Sequence, residues 1–224
     1  METLSIFFVS KVFLSYFAAE LSMQEKIFSK AEELFMQYGI KSITMDDVAK
    51  ALGMSKKTLY QYVEDKNDLV NQTITRHLKH MDSLSEQVFS SETNAILQML
   101  KIAKMMVNLH QGVNPSAMFD LKKYHPDTYQ YFREHKDNSI QKQVTKNLAL
   151  GIEQGLYRQN ININITAAFY ITLVMECVSS EHQTLNSIPF ENKYSELVRY
   201  NMFSLCTPKG IEYINNHPEL IQIS

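Results

Sequence analysis

The chain has 224 residues, of which 45% are hydrophobic and 21% are charged, and its formal net charge is −2. This balance is typical of a globular protein with room for two small domains, and it excludes nucleic-acid binding through an overall positive charge. Cys177 and Cys206 lie far apart and outside any CxxC motif. We interpret them as reduced core thiols and expect a cytoplasmic protein. The histidines are scattered, so we expect no metal site.

Residues 1–22 precede the first clear helical pattern, and residues 4–19 are rich in apolar side chains. Secretion is disfavoured because Glu2 lies in the segment before this run, which has no lysine, and Lys11 interrupts the run. The run is also too short to span a bilayer, so we expect no membrane partner. Two interpretations are favoured: an extension ahead of a physiological start at Met23, or an added helix that packs on the rest of the protein or on a partner.

The next segment contains a succession of helix caps and glycine turns. Apolar side chains repeat at helical spacing, and Gly39 stands where a helix commonly ends. Thr44 is placed to cap a second helix, which Gly53 ends. Further caps are predicted at Ser55 and Asp65. Helices this short are not stable alone, so we expect them to pack on one another.

The third of these helices separates a core face from a free face. With Leu59 pointing inward, Tyr62 and Val63 fall toward the core, while Lys57 and Gln61 point away from it. Lysine and glutamine match the donor and acceptor groups on base edges in the major groove. A single lysine on a free helix face is usually only solvated. The joint pattern of caps, glycine turn and polar helix, however, predicts a helix-turn-helix DNA reader.

The stretch from Thr44 to Lys66 reads Thr-x-x-x-Val-Ala-x-x-x-Gly-x-Ser-x-x-Thr-Leu-Tyr-x-Tyr-x-x-x-Lys. It resembles the DNA-binding domain of the TetR/AcrR family of bacterial transcriptional regulators, and the resemblance covers roughly residues 24–70. It departs from the family at Val63, where phenylalanine is common, and at Lys57, where a small residue is frequent. The residues expected to contact double-stranded DNA are Thr44, Ser55, Lys56, Lys57, Thr58, Tyr60, Gln61, Tyr62 and Lys66.

The family resemblance divides these contacts into two kinds. It implies that Lys56, Lys57, Thr58 and Gln61 face the groove, with base edges within reach. It further implies that Thr44, Tyr60, Tyr62 and Lys66 contact phosphates. Ser55 is included among the expected DNA contacts as the cap of the third helix.

The rest of the chain is predicted to be helical, because it lacks hairpin dipeptides and convincing alternation of apolar and polar residues. We therefore predict an all-α protein. Its parts are the N-terminal extension (1–22), a helix-turn-helix DNA-binding domain (23–68) and a regulatory ligand-binding and dimerisation domain (69–224). After the helix-turn-helix, helices are predicted at about 66–89, 92–111, 116–123, 126–155, 164–185 and 190–206.

Methionines and aromatic residues are concentrated in residues 99–132. Methionine adapts to irregular shapes, which suits a pocket for an apolar ligand, although an ordinary bundle core explains the same composition. The residues expected to line a pocket are Met105, Met106, Met118, Phe119, Tyr124, Tyr129, Phe132, Phe169 and Met175.

Two late helices have wide apolar faces, as a dimer built from a helix pair in each chain requires. The segment from Gly151 to Arg158 is similar to one that precedes the dimerising helices in many TetR-type regulators. The resemblance thus implies a homodimeric, ligand-binding regulatory domain. The residues expected at the dimer interface are Tyr170, Val174, Val178, Tyr194, Leu197, Val198 and Met202.

The function predicted from these patterns is a homodimeric repressor that leaves a palindromic operator when it binds a small apolar ligand. The alternative is a DNA-bound regulator or architectural protein that is controlled by a protein partner, with no small-molecule ligand. We expect no cofactor and no enzymatic activity, because the sequence has no nucleophile elbow, P-loop, dinucleotide fingerprint or zinc-protease motif.

Overall fold

The computed structural model describes residues 22–111, 113–114, 116–179 and 183–217. Apart from Ser22, the expected N-terminal extension lies outside the described residues. The described residues form helices and no strand, with one isolated bridge between Tyr157 and Cys206. The predicted all-α class is confirmed. The helices are α1 (Met23–Tyr38), α2 (Met45–Ala51), α3 (Lys56–Leu59), α4 (Lys66–Ser91), α5 (Ala95–His110), α6 (Ser116–Tyr124), α7 (Pro126–Glu153), α8 (Ile163–Ser179), α9 (Gln183–Asn186), α10 (Phe190–Leu205) and α11 (Pro208–Asn215).

The predicted caps and turns are confirmed. Side-chain oxygens of Thr44, Ser55 and Asp65 accept backbone N–H groups at the starts of α2, α3 and α4. These bonds satisfy donors that a helix start would otherwise leave unpaired. Gly39 and Gly53 have φ angles of 82° and 65°, a region that side chains with a Cβ rarely adopt. Glycine is thus required at both turns that shape the first three helices.

The described residues contain two hydrophobic cores. The N-terminal core joins α1–α3 to α4, and residues of α6 and α7, Leu121 and Phe132, also belong to it. The C-terminal core is built mainly from α5, α7, α8 and α10. Helix α4 contributes to both, with Leu69 in the first and Met81 in the second. One helix therefore connects the reading head directly to the larger bundle.

Among the described helices, none combines the length and the apolar character that crossing a membrane requires. In the same residues, no group of three or more His, Cys, Asp or Glu side chains is placed to hold a metal ion.

Candidate DNA-reading head and ligand cavity

Helices α2 and α3 form the reading head together with the turn at Gly53. Val48 and Leu59 are fully buried and fix the two helices against each other. Lys57 on α3 and Gln61 in the turn that follows it are both exposed. The chain thus presents a short polar surface on a rigid apolar base, as insertion into a DNA groove requires.

Several of the expected DNA contacts already have partners within the head. The Thr44 hydroxyl donates to Asp47 Oδ2 at 2.6 Å and also accepts the Asp47 N–H. The Ser55 hydroxyl accepts the N–H of Thr58 at 3.1 Å. The Lys56 ammonium lies 3.0 Å from Asp46 Oδ2. These bonds orient the polar side chains, and the Lys56 pair is exposed and thus easily exchanged for a phosphate.

Lys66 at the start of α4 supports the head in a way that the sequence did not reveal. Its ammonium donates to the backbone carbonyl of Lys41 at 3.3 Å. Partial burial lowers the pKa of Lys66 below its usual value, and the charges of Asp120 and Asp47 oppose this change. Lys66 therefore braces the loop between α1 and α2.

A cavity of about 810 Å³ lies between the reading head and the larger bundle. Its walls come from α1, α4, α5, α6, α7, α8 and α10. This volume is within the usual range for small-molecule sites, roughly 300–1,000 Å³. Four of the nine expected pocket residues lie along it: Met106, Met118, Phe132 and Met175.

The other five expected pocket residues lie elsewhere, so those expectations are corrected. Phe119, Tyr124 and Phe169 are exposed at the surface. Met105 packs against the C-terminal core, and Tyr129 packs against the N-terminal core. Composition could not identify the side of each helix that faces the cavity.

Polar groups that composition did not single out also line the cavity. His77 Nδ1 lies 2.7 Å from Glu32 Oε1 and joins α4 to α1. His110 stacks on Phe190 with ring centroids 4.1 Å apart, and its Nδ1 bonds to the Met106 carbonyl oxygen at 2.9 Å. Burial lowers the pKa of His110 to about 4, so its ring is neutral at pH 7.

Residues 27–73 match the model of the family described as bacterial regulatory proteins, tetR family. This segment is a TetR-family DNA-binding domain. The chain is 34% identical over 110 residues to the uncharacterized HTH-type transcriptional regulator YvaF of Bacillus subtilis. That match covers 48% of this chain and spans only 56% of the relative's length.

Solved structures show the same fold. A transcriptional regulator of Cytophaga hutchinsonii aligns with a TM-score of 0.66 at 20% identity, over 82% of this chain and 98% of its own. A putative regulator of Saccharomonospora viridis, solved in complex with choline, aligns with a TM-score of 0.64 at 13% identity, over 82% and 97% of the two chains. The family and these relatives are regulators of transcription, not enzymes.

The structure also corrects the prediction of which residues lie at the dimer interface. Five of the seven expected residues are buried in the core of the same chain, and only Val178 and Leu197 are partly exposed. Enclosed side chains cannot meet a second chain. The five are Tyr170, Val174, Tyr194, Val198 and Met202.

Proposed function

We propose that this protein is a homodimeric repressor that binds a palindromic operator and is released from it by a small ligand. The observation that carries the proposal is the reading head, in which Lys57 on α3 and Gln61 in the turn after it are exposed beside a buried apolar contact between α2 and α3. In this proposal these two residues read base edges, and Lys56 and Thr58 face the groove beside them. Phosphates are contacted by Thr44, Tyr60, Tyr62 and Lys66.

The outer faces of α8 and α10 support a dimer. Ile165, Phe169 and Leu173 are exposed at helical spacing on α8, with 67% of Phe169 accessible. Tyr200 and Phe203 are exposed on the neighbouring α10. Large apolar side chains on two adjacent helices suit burial against the same pair in a second copy, which forms a four-helix bundle. The interface proposed here therefore uses the same helices as the sequence prediction, with different residues.

Such a dimer places two reading heads on one side of the DNA. A two-fold dimer reads successive major grooves when its recognition helices are roughly 34–36 Å apart. The operator then consists of two inverted half-sites, because each half-site meets an identical head. Residues 23–68 and 69–224 act as reading and regulatory domains in this scheme, and the protein works in the cytoplasm.

Release depends on the cavity because its wall is shared by the head and the bundle. The N–H of Asn114 donates to the carbonyl of Met36 at 2.6 Å, and both residues line the cavity. His77 and Glu32 join α4 to α1 in the same wall. A ligand that binds more tightly when α1 and α4 move apart would shift the population toward dimers whose reading heads are not spaced for the operator. The choline complex of the S. viridis regulator supports a small-molecule site in this fold.

The operator proposal is tested with purified full-length protein and labelled fragments of the promoter upstream of its own gene. Fluorescence anisotropy at physiological salt should show tight binding to one fragment, with two chains per site, and much weaker binding to a scrambled fragment of equal length. Equal affinity for both fragments would refute sequence-specific regulation. Salt must be held constant, because non-specific binding depends on it steeply.

The second candidate is a regulator controlled by a protein partner without a small ligand. The cavity favours the ligand-controlled repressor, since a bundle controlled only at its surface gains nothing from an internal space of this size. Mutations that fill the cavity separate the two. If a small ligand controls the protein, Val174→Phe should abolish ligand-induced release from the operator. If a protein partner controls it, the same substitution should leave regulation intact.

A further inference from the structure

Lys136 on α7 lines the main cavity and a smaller neighbouring one of about 60 Å³. Its ammonium lies 5.7 Å from the centre of the Phe132 ring. Within the described part of the chain it forms no hydrogen bond and no ion pair. Burial lowers the pKa of Lys136, and the charge of Asp82 only partly opposes this change. The cavity wall therefore contains a partly desolvated cation that has no ion pair among the described residues.

The nearest acidic group is already occupied. Both carboxylate oxygens of Asp82 accept hydrogen bonds, one from the Ser139 hydroxyl at 2.6 Å and one from His135 Nε2 at 2.7 Å. Asp82 therefore offers Lys136 a distant charge and no direct contact.

The carboxylates that line the cavity are compensated elsewhere. Glu32 bonds to His77 at 2.7 Å, and Glu33 pairs with Lys30 on its own helix. Glu191 lies in the first turn of α10, where the helix dipole favours a negative charge. The second lysine of the wall, Lys193, has an interaction of its own. Lys136 is thus the site at which a negative charge from outside would be stabilised.

The rest of the wall near Lys136 is apolar or neutral. Phe132, Ile140, Val174 and Met106 line the same cavity. The ring of His110 is held by the Met106 carbonyl and by its stacking on Phe190. An occupant therefore needs one anionic group for the ammonium and an apolar body for the remaining surface.

We propose that the ligand of this cavity is an amphipathic monocarboxylate whose carboxylate pairs with the Lys136 ammonium while its apolar body fills the space toward the reading head. The inference rests on the proposed ligand-controlled function and changes the expected ligand from a purely apolar molecule to an apolar acid. A charged hydrogen bond in a desolvated site is worth about tenfold or more in affinity.

The test is calorimetry on the full-length protein without DNA, using decanoate, decanol and decylammonium below their aggregation limits. Decanoate should bind about tenfold or more tightly than decanol, and decylammonium should bind most weakly of the three. Lys136→Met should bind decanol at least as well as the unmodified protein does and should lose the preference for decanoate. Lys136→Arg should retain the preference, because the positive charge stays in place. The matched control is Lys142→Met, an exposed lysine of the same helix, which should change neither affinity.

Equal binding of decanoate and decanol, or a preference for decanoate that survives Lys136→Met, would overturn the proposal. Decyl phosphate is measured in the same way to test the choice of headgroup. If it binds more tightly than decanoate, the assignment of a carboxylate is wrong. These measurements do not involve DNA, so their failure leaves operator binding untouched. Failure of the operator experiment would in turn leave the calorimetric preference standing.

Discussion

The Asp120 carboxylate accepts a hydrogen bond from the backbone N–H of Lys41 across 2.9 Å, although 79 positions separate the two residues. Asp120 is buried on α6, and Lys41 lies in the loop between α1 and α2. The carbonyl of the same Lys41 accepts the Lys66 ammonium. Both polar groups of one residue are thus fixed from outside the loop, so the position of α2 depends on α4 and α6.

Asp120→Leu should lower the free energy of unfolding by about 1–3 kcal/mol, because it leaves the Lys41 N–H without its partner. Hydrogen exchange at the Lys41 amide should accelerate, while amides inside α7 keep their protection. Denaturant unfolding and exchange mass spectrometry measure the two effects. Asp137→Leu, at an exposed site on α7, is the control and should change neither.

Lys57→Ala and Gln61→Ala should each reduce discrimination between operator and scrambled DNA, by about 1–3 kcal/mol where the lost contact is bidentate. Lys66→Ala should instead weaken binding to both DNAs and reduce the salt dependence by about one phosphate contact. Anisotropy titrations at several salt concentrations distinguish the two patterns. If all three variants behave alike, the division into base readers and phosphate contacts is wrong. Lys104→Ala, exposed on α5, should leave binding unchanged.

Phe169→Glu should convert the proposed dimer into monomers, because it places a charge in the centre of the proposed apolar interface. Sedimentation velocity measures the change, and operator affinity should fall steeply since a monomer presents one head. Phe119→Glu is a matched control, because Phe119 is similarly exposed (58%) but lies on α6. A dimer that persists in Phe169→Glu would contradict the interface.

Lys136→Met should raise the free energy of unfolding of the ligand-free protein by on the order of 1 kcal/mol, because it removes a desolvated charge. For a domain of this size that corresponds to a rise in Tm of about 2–4 °C. Differential scanning calorimetry at fixed protein concentration gives the result. A fall in Tm would show that the ammonium contributes to stability in the empty cavity.

The pKa of His110 is lowered from 6.5 to about 4 by burial, so the folded protein favours the neutral ring. As the pH falls below 6.5 the unfolded chain takes up a proton that the folded chain does not, and stability declines until about pH 4. His110 accounts for about 3 kcal/mol of this decline. His110→Gln should therefore flatten the dependence of unfolding free energy on pH between 6.5 and 4. His80→Gln, at an exposed position, should leave the slope unchanged.

Local features of the sequence predicted the fold well. Caps at Thr44, Ser55 and Asp65 and turns at Gly39 and Gly53 are decided within a few residues, so short-range chemistry specifies them. The ends of α4–α8 and α10 also lie within a few residues of prediction, except that the helix predicted at 164–185 is described as α8 and α9, with residues 180–182 outside the described part. Helix α11 was missed, although the sequence Thr207-Pro208 carries a start signal in which Thr207 caps and Pro208 takes the first position.

The choice of face could not be predicted in the same way. Residues from Ile163 to Val178 are apolar almost all round, so periodicity does not decide whether Tyr170 or Phe169 points inward. The cavity raises the same difficulty, because its lining residues come from seven helices. Long-range packing sets both features, and it also placed Lys136, a residue with no local signal, on the cavity wall.

Helix α4 contains 26 residues without a proline or glycine, so it has no built-in site for a kink. Its length is about 39 Å at 1.5 Å per residue. The α4 residues that line the cavity, Thr73 to Met81, lie roughly 10–23 Å along the helix from Lys66. A tilt of a few degrees at this point would displace Lys66 by about an ångström. In a two-fold dimer the two displacements add. A ligand in the cavity could therefore switch the protein between bound and released states by tilting α4, while every helix keeps its internal hydrogen bonds.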